Sequence, residues 1–204
     1  MSFLTCDCPL SAAISDITAA ACGDNFGQIQ KVIVQRKGYT FDGTAGKDIT
    51  ILADWQTVFA ASDDTKAQIT PFLSSAIIAG GEKITNGGGD NSTLNGEAEL
   101  VGMNPSAFTS MMKSLTSAQI AELSTFNCEK ALVVYFVNES GKIICKDLTG
   151  GSYTGINISS FFAGEKSNNG YATLDENPLD FNIKKGWSCD YAIVETAFDP
   201  LEDL

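Results

Sequence analysis

The sequence predicts a mainly β protein, an antiparallel β-sandwich or barrel flanked by one or two α-helices. Three observations carry this. About ten short apolar runs are separated by Gly, Asn, Asp and Pro turn signals. Helical periodicity surfaces in few places, best around Trp55 and after Thr116. The run Ala131–Val137 is apolar throughout, as a strand covered on both faces would be. With 204 residues, 44% of them hydrophobic, the chain reads as one domain spanning 1–204. It carries an N-terminal arm (1–27), a long inter-strand loop (80–96) and an acidic C-terminal tail (199–204).

Taken in order, residues 1–27 are rich in small side chains, and Ser11–Cys22 suits a short helix or an extended arm equally. Gln28–Lys37 is a strand closed by Gly38. Phe41 leads through a Gly43–Gly46 turn to a second strand, Ile49–Leu52. Asp54 is expected to cap a short helix with Trp55, Val58 and Phe59 on its apolar face. Gln68–Ala79 returns as strand around Pro71, and Glu97–Met103 is another, ending at the turn Asn104-Pro105. Ser106–Leu115 fits helix or strand.

Thr116 then opens the best-signalled helix. Gln119 lies three residues on as the partner in a capping box, and Leu115 faces Ile120 as a hydrophobic staple. Ile120, Leu123 and Phe126 point inward, the helix stops near Asn127, and it is expected to pack on Ala131–Val137. That strand and Lys142–Lys146 form a hairpin about the turn Asn138-Glu139-Ser140-Gly141. Ile156–Phe162, Leu179–Ile183 and Cys189–Phe198 supply further strands.

The stretch Gly80–Pro105 is the most distinctive. Gly87-Gly88-Gly89 opens a polar run through Asp90, Asn91, Ser92, Thr93, Leu94, Asn95 and Gly96, between strand-like flanks. Glycine tolerates left-handed backbone and Asn and Asp favour turns, so this is a loop well beyond hairpin length, and such loops are usually functional or disordered. A phosphate loop is excluded, because Lys83 precedes the glycines instead of following them. A dinucleotide fingerprint lacks its third glycine and its helix. A calcium loop starting at Asp90 would place Leu94 and Val101 at ligand positions. What remains is a mobile surface loop or, the reading preferred, an arm that orders against another protein chain.

Chemistry elsewhere is thin. The chain has no histidine, so a Ser or Cys nucleophile lacks its usual base. A carboxylate pair for glycoside hydrolysis would have to come from Asp54, Asp63, Asp64, Glu97 or Glu99, and their spacing does not set them apart from solvated acids. The six cysteines (Cys6, Cys8, Cys22, Cys128, Cys145, Cys189) match no zinc spacing. Cys128 and Cys145 read as small buried hydrophobes. No catalytic, metal or cofactor site is expected.

The net charge is −12, from 25 acidic and 13 basic residues, which opposes gripping nucleic acid by phosphate neutralisation. MSFLTCDC lacks the basic region of a secretory signal, and no apolar run approaches the ~20 residues of a membrane helix. The expectation is therefore a protein kept in the cytosol or exported other than by Sec. Disulfides are not expected in that reducing compartment, and the Asn91, Asn138 and Asn157 triplets carry no weight as glycan sites.

The layout resembles a known family. Its parts are the strand, the short Trp55 helix and the strand pair, then the loop Gly87–Gly96, Gly102-Met103-Asn104-Pro105, the capped helix, and Val133–Val137 with Asn138–Ile143. Over about residues 28–147 this is similar to the tail tube and tail ring proteins of tailed bacteriophages, especially crAss-like phages of Bacteroidetes. The resemblance implies a structural virion protein without an active site. Six protomers, or a multiple, form a ring whose inner sheet lines the channel for DNA ejection, with loops and termini stacking ring on ring. Partners would be the chain itself, neighbouring tail or ring proteins, and double-stranded DNA passing without specific binding. No membrane is involved. Assembly would be in the host cytoplasm and the final location the virion tail, with Gly87–Asn95 at an inter-subunit contact. The competing reading is a monomeric β-sandwich binding module, carbohydrate-binding or adhesive, with Trp55 and Trp187 as stacking platforms.

Overall fold

β8 (Leu132–Asn138) is buried at every position, and the fold is laid around it. β1 (Ile29–Arg36) runs antiparallel along one edge, from Arg36 opposite Leu132 to Ile29 opposite Asn138. The other edge is shared. β9 (Ile143–Asp147) takes the Phe136–Val137 end, and β11 (Ile156–Ala163) takes the Val133–Val134 end. β9 carries β13 (Tyr191–Val194) and β10 (Ser152–Thr154), β10 pairs with β2 (Phe41–Asp42), and β1 with β3 (Ala67–Ile69).

Past Asn157, β11 joins a second group. It pairs with β12 (Glu176–Ile183), which pairs with β7 (Ser106–Lys113), which pairs with β4 (Leu73–Ala79). Among the described residues, β5 (Lys83–Asn86) and β6 (Glu99–Met103) pair only with each other. The computed structural model describes residues 24–89, 91–168 and 170–204. Most of the expected N-terminal arm, including the Ser11–Cys22 segment, lies outside them.

Alternation along β8 feeds two cores. Leu132, Val134 and Phe136 meet Phe108 of β7 and Phe181 of β12 between the two strand groups, and the Phe108 and Phe181 rings stack at 4.5 Å. Val133, Tyr135 and Val137 enter a second core with Phe41, Ile49, Trp55 and Val58. At about 1.5–3 kcal/mol per large apolar side chain buried, these layers dominate the stability. The all-apolar strand is covered on both faces, as expected.

The short Trp helix is α1 (Leu52–Ala60), with Trp55 and Val58 buried. Two details differ from expectation. Ile49–Leu52 is not a strand, because Asp48 turns the chain there: its Oδ1 accepts from Thr50 N at 2.9 Å and Thr50 Oγ1 at 2.8 Å. Asp54 is not the cap either. Ile51 holds that position without a side-chain bond, and Asp54 Oδ2 accepts from Asp48 N at 2.7 Å.

α2 (Ser117–Ser124) forms with its capping box complete. Gln119 N donates to Thr116 Oγ1 at 3.3 Å and Thr116 N to Gln119 Oε1 at 2.9 Å. A 3-10 turn, Thr125–Cys128, continues it. This unit packs on β11, not on β8 as expected. Both faces of β8 are already filled, whereas β11 offers an edge. There Asn127 Nδ2 donates to Ala163 O at 3.1 Å and Ala163 N donates to Asn127 Oδ1 at 2.8 Å, sealing backbone that would otherwise lie open.

Ser106–Lys113 resolves as strand, with Phe108, Ser110 and Met112 inward. Its partners β4 and β11-flanked β12 lie in a sheet with bulges at Ser75 (φ 54°) and Ser160 (φ 55°), where the register shifts by one residue. The Ser160 bulge keeps Phe161 directed at the core after exposed Ser159 and Ser160.

The tail does not hang free. Phe198, Leu201 and Leu204 pack on the second core, and Lys31, 8% exposed, donates from Nζ to Leu201 O at 2.7 Å and Leu204 O at 3.1 Å. Burial pushes the Lys31 ammonium below its usual range, with Asp199 opposing the shift.

Candidate functional site

β4 and β7 do not end where the body ends. The chain between them continues as β5 and β6, so residues 73–113 form one long hairpin whose outer half stands apart as its own two-stranded sheet. Gly81 makes the junction possible, since a Cβ there would lie 2.1 Å from Asn104 O. Asn104 N donates to Glu82 O at 2.8 Å across the same point.

At the tip, Gly87, Gly88 and Gly89 have φ of 68°, 114° and 84°, which side-chain-bearing residues resist. The turn closes on itself. Gly89 N donates to Gly96 O at 2.9 Å, Gly96 N to Thr93 O at 3.1 Å, and Thr93 Oγ1 to Glu97 O. Asn95 is left-handed (φ 59°) within the 3-10 turn Leu94–Gly96. Asn91, Ser92, Thr93 and Asn95 thus join Gly89 around an open concavity of about 790 Å³. Asp90 lies outside the described residues. Among the described residues no group of three or more His, Cys, Asp or Glu side chains could hold a metal.

The hairpin leaves large apolar side chains exposed among its polar ones. Ile77, Ile84, Leu100, Val101 and Met111, all exposed large hydrophobics, belong to this one hairpin. A two-stranded hairpin is marginal alone in water, and contiguous exposed apolar surface marks a partner site. Sequence reasoning located the tip but missed this apolar flank, because its exposure depends on β5 and β6 standing outside the large sheet.

The second free surface is the outer face of β11-β12-β7-β4. The register places Phe162, Asp180, Thr109 and Ile77 in one row and Ser159, Asn182, Ala107 and Ala79 in another. Its charges are few: Asp180, and Glu176 paired with Lys113 at 3.7 Å. Partial burial pushes the Asp180 carboxyl above the usual range.

The acids weighed for hydrolysis sit on separate elements. Asp54 is in α1, Asp63 and Asp64 follow it, and Glu97 and Glu99 are on the arm. Asp63 is held below the ordinary range by hydrogen bonds from Thr65. Trp55 is wholly buried, its Nε1 donating to Ile49 O at 2.9 Å, so it offers no stacking platform. Trp187 is half-buried against Phe26 and Tyr191, with Nε1 donating to Ser106 Oγ at 3.0 Å.

Of the thiols, Cys145 is buried and pushed up to about 12 by burial, whereas Cys128 is exposed, contrary to the expected burial. It ends the surface 3-10 turn instead of entering a strand. Cys189 is disulfide-bonded, against the expectation of free thiols; its partner lies outside the described residues. The compartment argument bears on redox poise, not on which sulfurs a fold brings together.

No protein-family profile matches the chain, and no curated protein does. Among solved structures, one similar chain comes from the tail of an empty GTA particle computed with helical refinement in C6 symmetry. It is 13% identical, with 63% of this chain and 88% of that one covered and a TM-score of 0.32. Another is a type six secretion system protein, 12% identical, covering 76% and 80% with a TM-score of 0.29. Likenesses this slight carry no argument about what the chain does.

Proposed function

We propose that the chain is a structural protein of a phage-like tail. Copies of it assemble into a ring, of six or a multiple, around a channel through which double-stranded DNA passes without being gripped. The observation that carries this reading is the hairpin 73–113, whose outer strands β5 and β6 stand outside the large sheet with Ile84, Leu100 and Val101 exposed. The arm 80–96, tipped by Gly87–Asn95, is the contact between subunits, and the layout of residues 28–147 supports the tail assignment.

The channel wall is the outer face of β11-β12-β7-β4. Both faces of β8 are filled, so the β8 group has no side left to line anything. Within its paired strands the free face carries one acid, Asp180, beyond the Glu176–Lys113 pair. Exposed Lys184 stands at the rim of this face, in one concavity with Ser159, and with so few bases there little counterion release drives adhesion to phosphates. The bases that would indicate gripping lie elsewhere: Lys31 is buried and Arg36 pairs with Glu129.

Electron microscopy of the native particle, averaged down its symmetry axis, tests the reading. A ring with this face toward the bore is expected. A monomer, or a bore lined by Arg36 and Lys37, overturns it.

A further inference from the structure

We infer that two oppositely charged surfaces at the ends of the β9–β13 ladder join one copy of the chain to the next, head to tail. This rests on the self-assembly reading but not on the DNA channel. At one end, where Lys146 faces Tyr191, lies a concavity of about 610 Å³ lined by Lys146, Lys184, Lys185, Trp187 and Asp190, among others. Lys146 pairs with Asp190, and Asp24 accepts the Tyr191 hydroxyl nearby at 3.1 Å. Lys184 and Lys185 have no acidic partner among the described residues, an unusual surplus in a chain of net charge −12.

At the other end, where Ile143 faces Val194, the turn Asp199–Asp203 is fastened beside the β8–β9 turn. Asp203 N donates to Asp199 O at 2.8 Å and Leu201 N to Asp199 Oδ1 at 2.9 Å, and Gly141 leaves room for the Asp199 carboxylate. Asp199, Glu202 and Asp203 are all exposed. The nearby base Lys31 is buried beneath them, and Lys142 is taken by Glu195 at 2.5 Å.

The ladder between the two surfaces spans roughly 10 Å of strand, and they point away from each other, so one chain cannot satisfy both. A second copy translated along the ladder can. Because the surfaces differ, the contact is heterologous and repeats from copy to copy. An exposed ion pair contributes little alone, so specificity comes from several charges acting together.

The test is sedimentation of the full chain. Wild-type assembly should weaken about tenfold between roughly 0.05 and 0.5 M salt. Lys184→Glu with Lys185→Glu, and separately Glu202→Lys, should each weaken it at least about tenfold at low salt, and mixing the two variants should restore mixed assemblies. A chain that stays monomeric throughout defeats the self-assembly reading and this contact with it. An assembly indifferent to salt, or to both reversals, or unrestored by mixing, defeats the contact alone. The wild-type salt series decides even where a variant fails to fold.

Discussion

At the scale of single residues, hydrogen-bond partners set the expected effects. Thr116 caps α2 through one side-chain bond, so Thr116→Ala should cost about 1 kcal/mol in urea unfolding. Lys31 is different. Replacing it with Met strands the Leu201 and Leu204 carbonyls under the tail, and a loss of about 1–3 kcal/mol is expected. Asp180 gives a pH signature. Its folded-state value is raised by burial, so the native state binds the proton more readily, and its contribution to stability improves as pH falls through that value. Asp63 and Glu195 are depressed, by Thr65 and Lys142 respectively, and act oppositely, losing stabilisation as pH falls through their folded values. Asp180→Asn should therefore match or slightly exceed wild type at pH 7, within about 0.5 kcal/mol. The gain should vanish in acid. A variant clearly less stable at pH 7 would show that the carboxylate is favourably bound.

At the scale of elements, the seat of α2 and the base of the arm make separate claims. Leu123, 8% exposed, anchors α2 in the core, and Leu123→Ala should cost about 2–5 kcal/mol. A loss under about 1 kcal/mol would mean the helix is peripheral. Gly81→Ala meets a backbone oxygen, not a flexible side chain. It should open the β5–β6 ladder, speeding hydrogen exchange there while β8 stays protected, and should abolish assembly without unfolding the body. The arm itself should exchange freely in an isolated chain, since ordering costs about 1–2 kcal/mol per residue. Full protection of Gly87–Asn95 without a partner would remove the case for an inter-subunit arm.

At the scale of the whole molecule, charge placement matters more than charge total. Screening confines each group's reach to about 8 Å at physiological salt, so acids on the tail and arm do not govern the free face of β11-β12-β7-β4. Adding bases there is the direct perturbation. Thr109→Lys with Asn182→Lys, repeated in every copy of a ring, should turn passage into salt-dependent retention of duplex DNA, steepening the salt slope by about 0.9 for each phosphate neutralised. Wild-type rings should retain little. Equal retention by both would mean that this face does not meet DNA.

Features settled within a few residues are legible in the chain. The Thr116–Gln119 capping box, the Ala131–Lys146 hairpin and the strand from Gln28 follow from local bonds and side-chain period, and they formed as read. The glycine tip was legible for the same reason, because left-handed backbone at Gly87–Gly89 is a local demand. Pairing and packing between distant elements account for the rest. Ser106–Lys113 became strand because β12 and β4 pair with it on both edges. α2 moved to β11 because β8 had no face left to give, and the tail docked because Lys31, far away in sequence, supplies its carbonyl partner. The apolar flank of the arm and the nearly uncharged free face emerged the same way. Exposure is defined by which surfaces other elements cover, and that depends on contacts between residues a hundred or more positions apart, which no local pattern encodes.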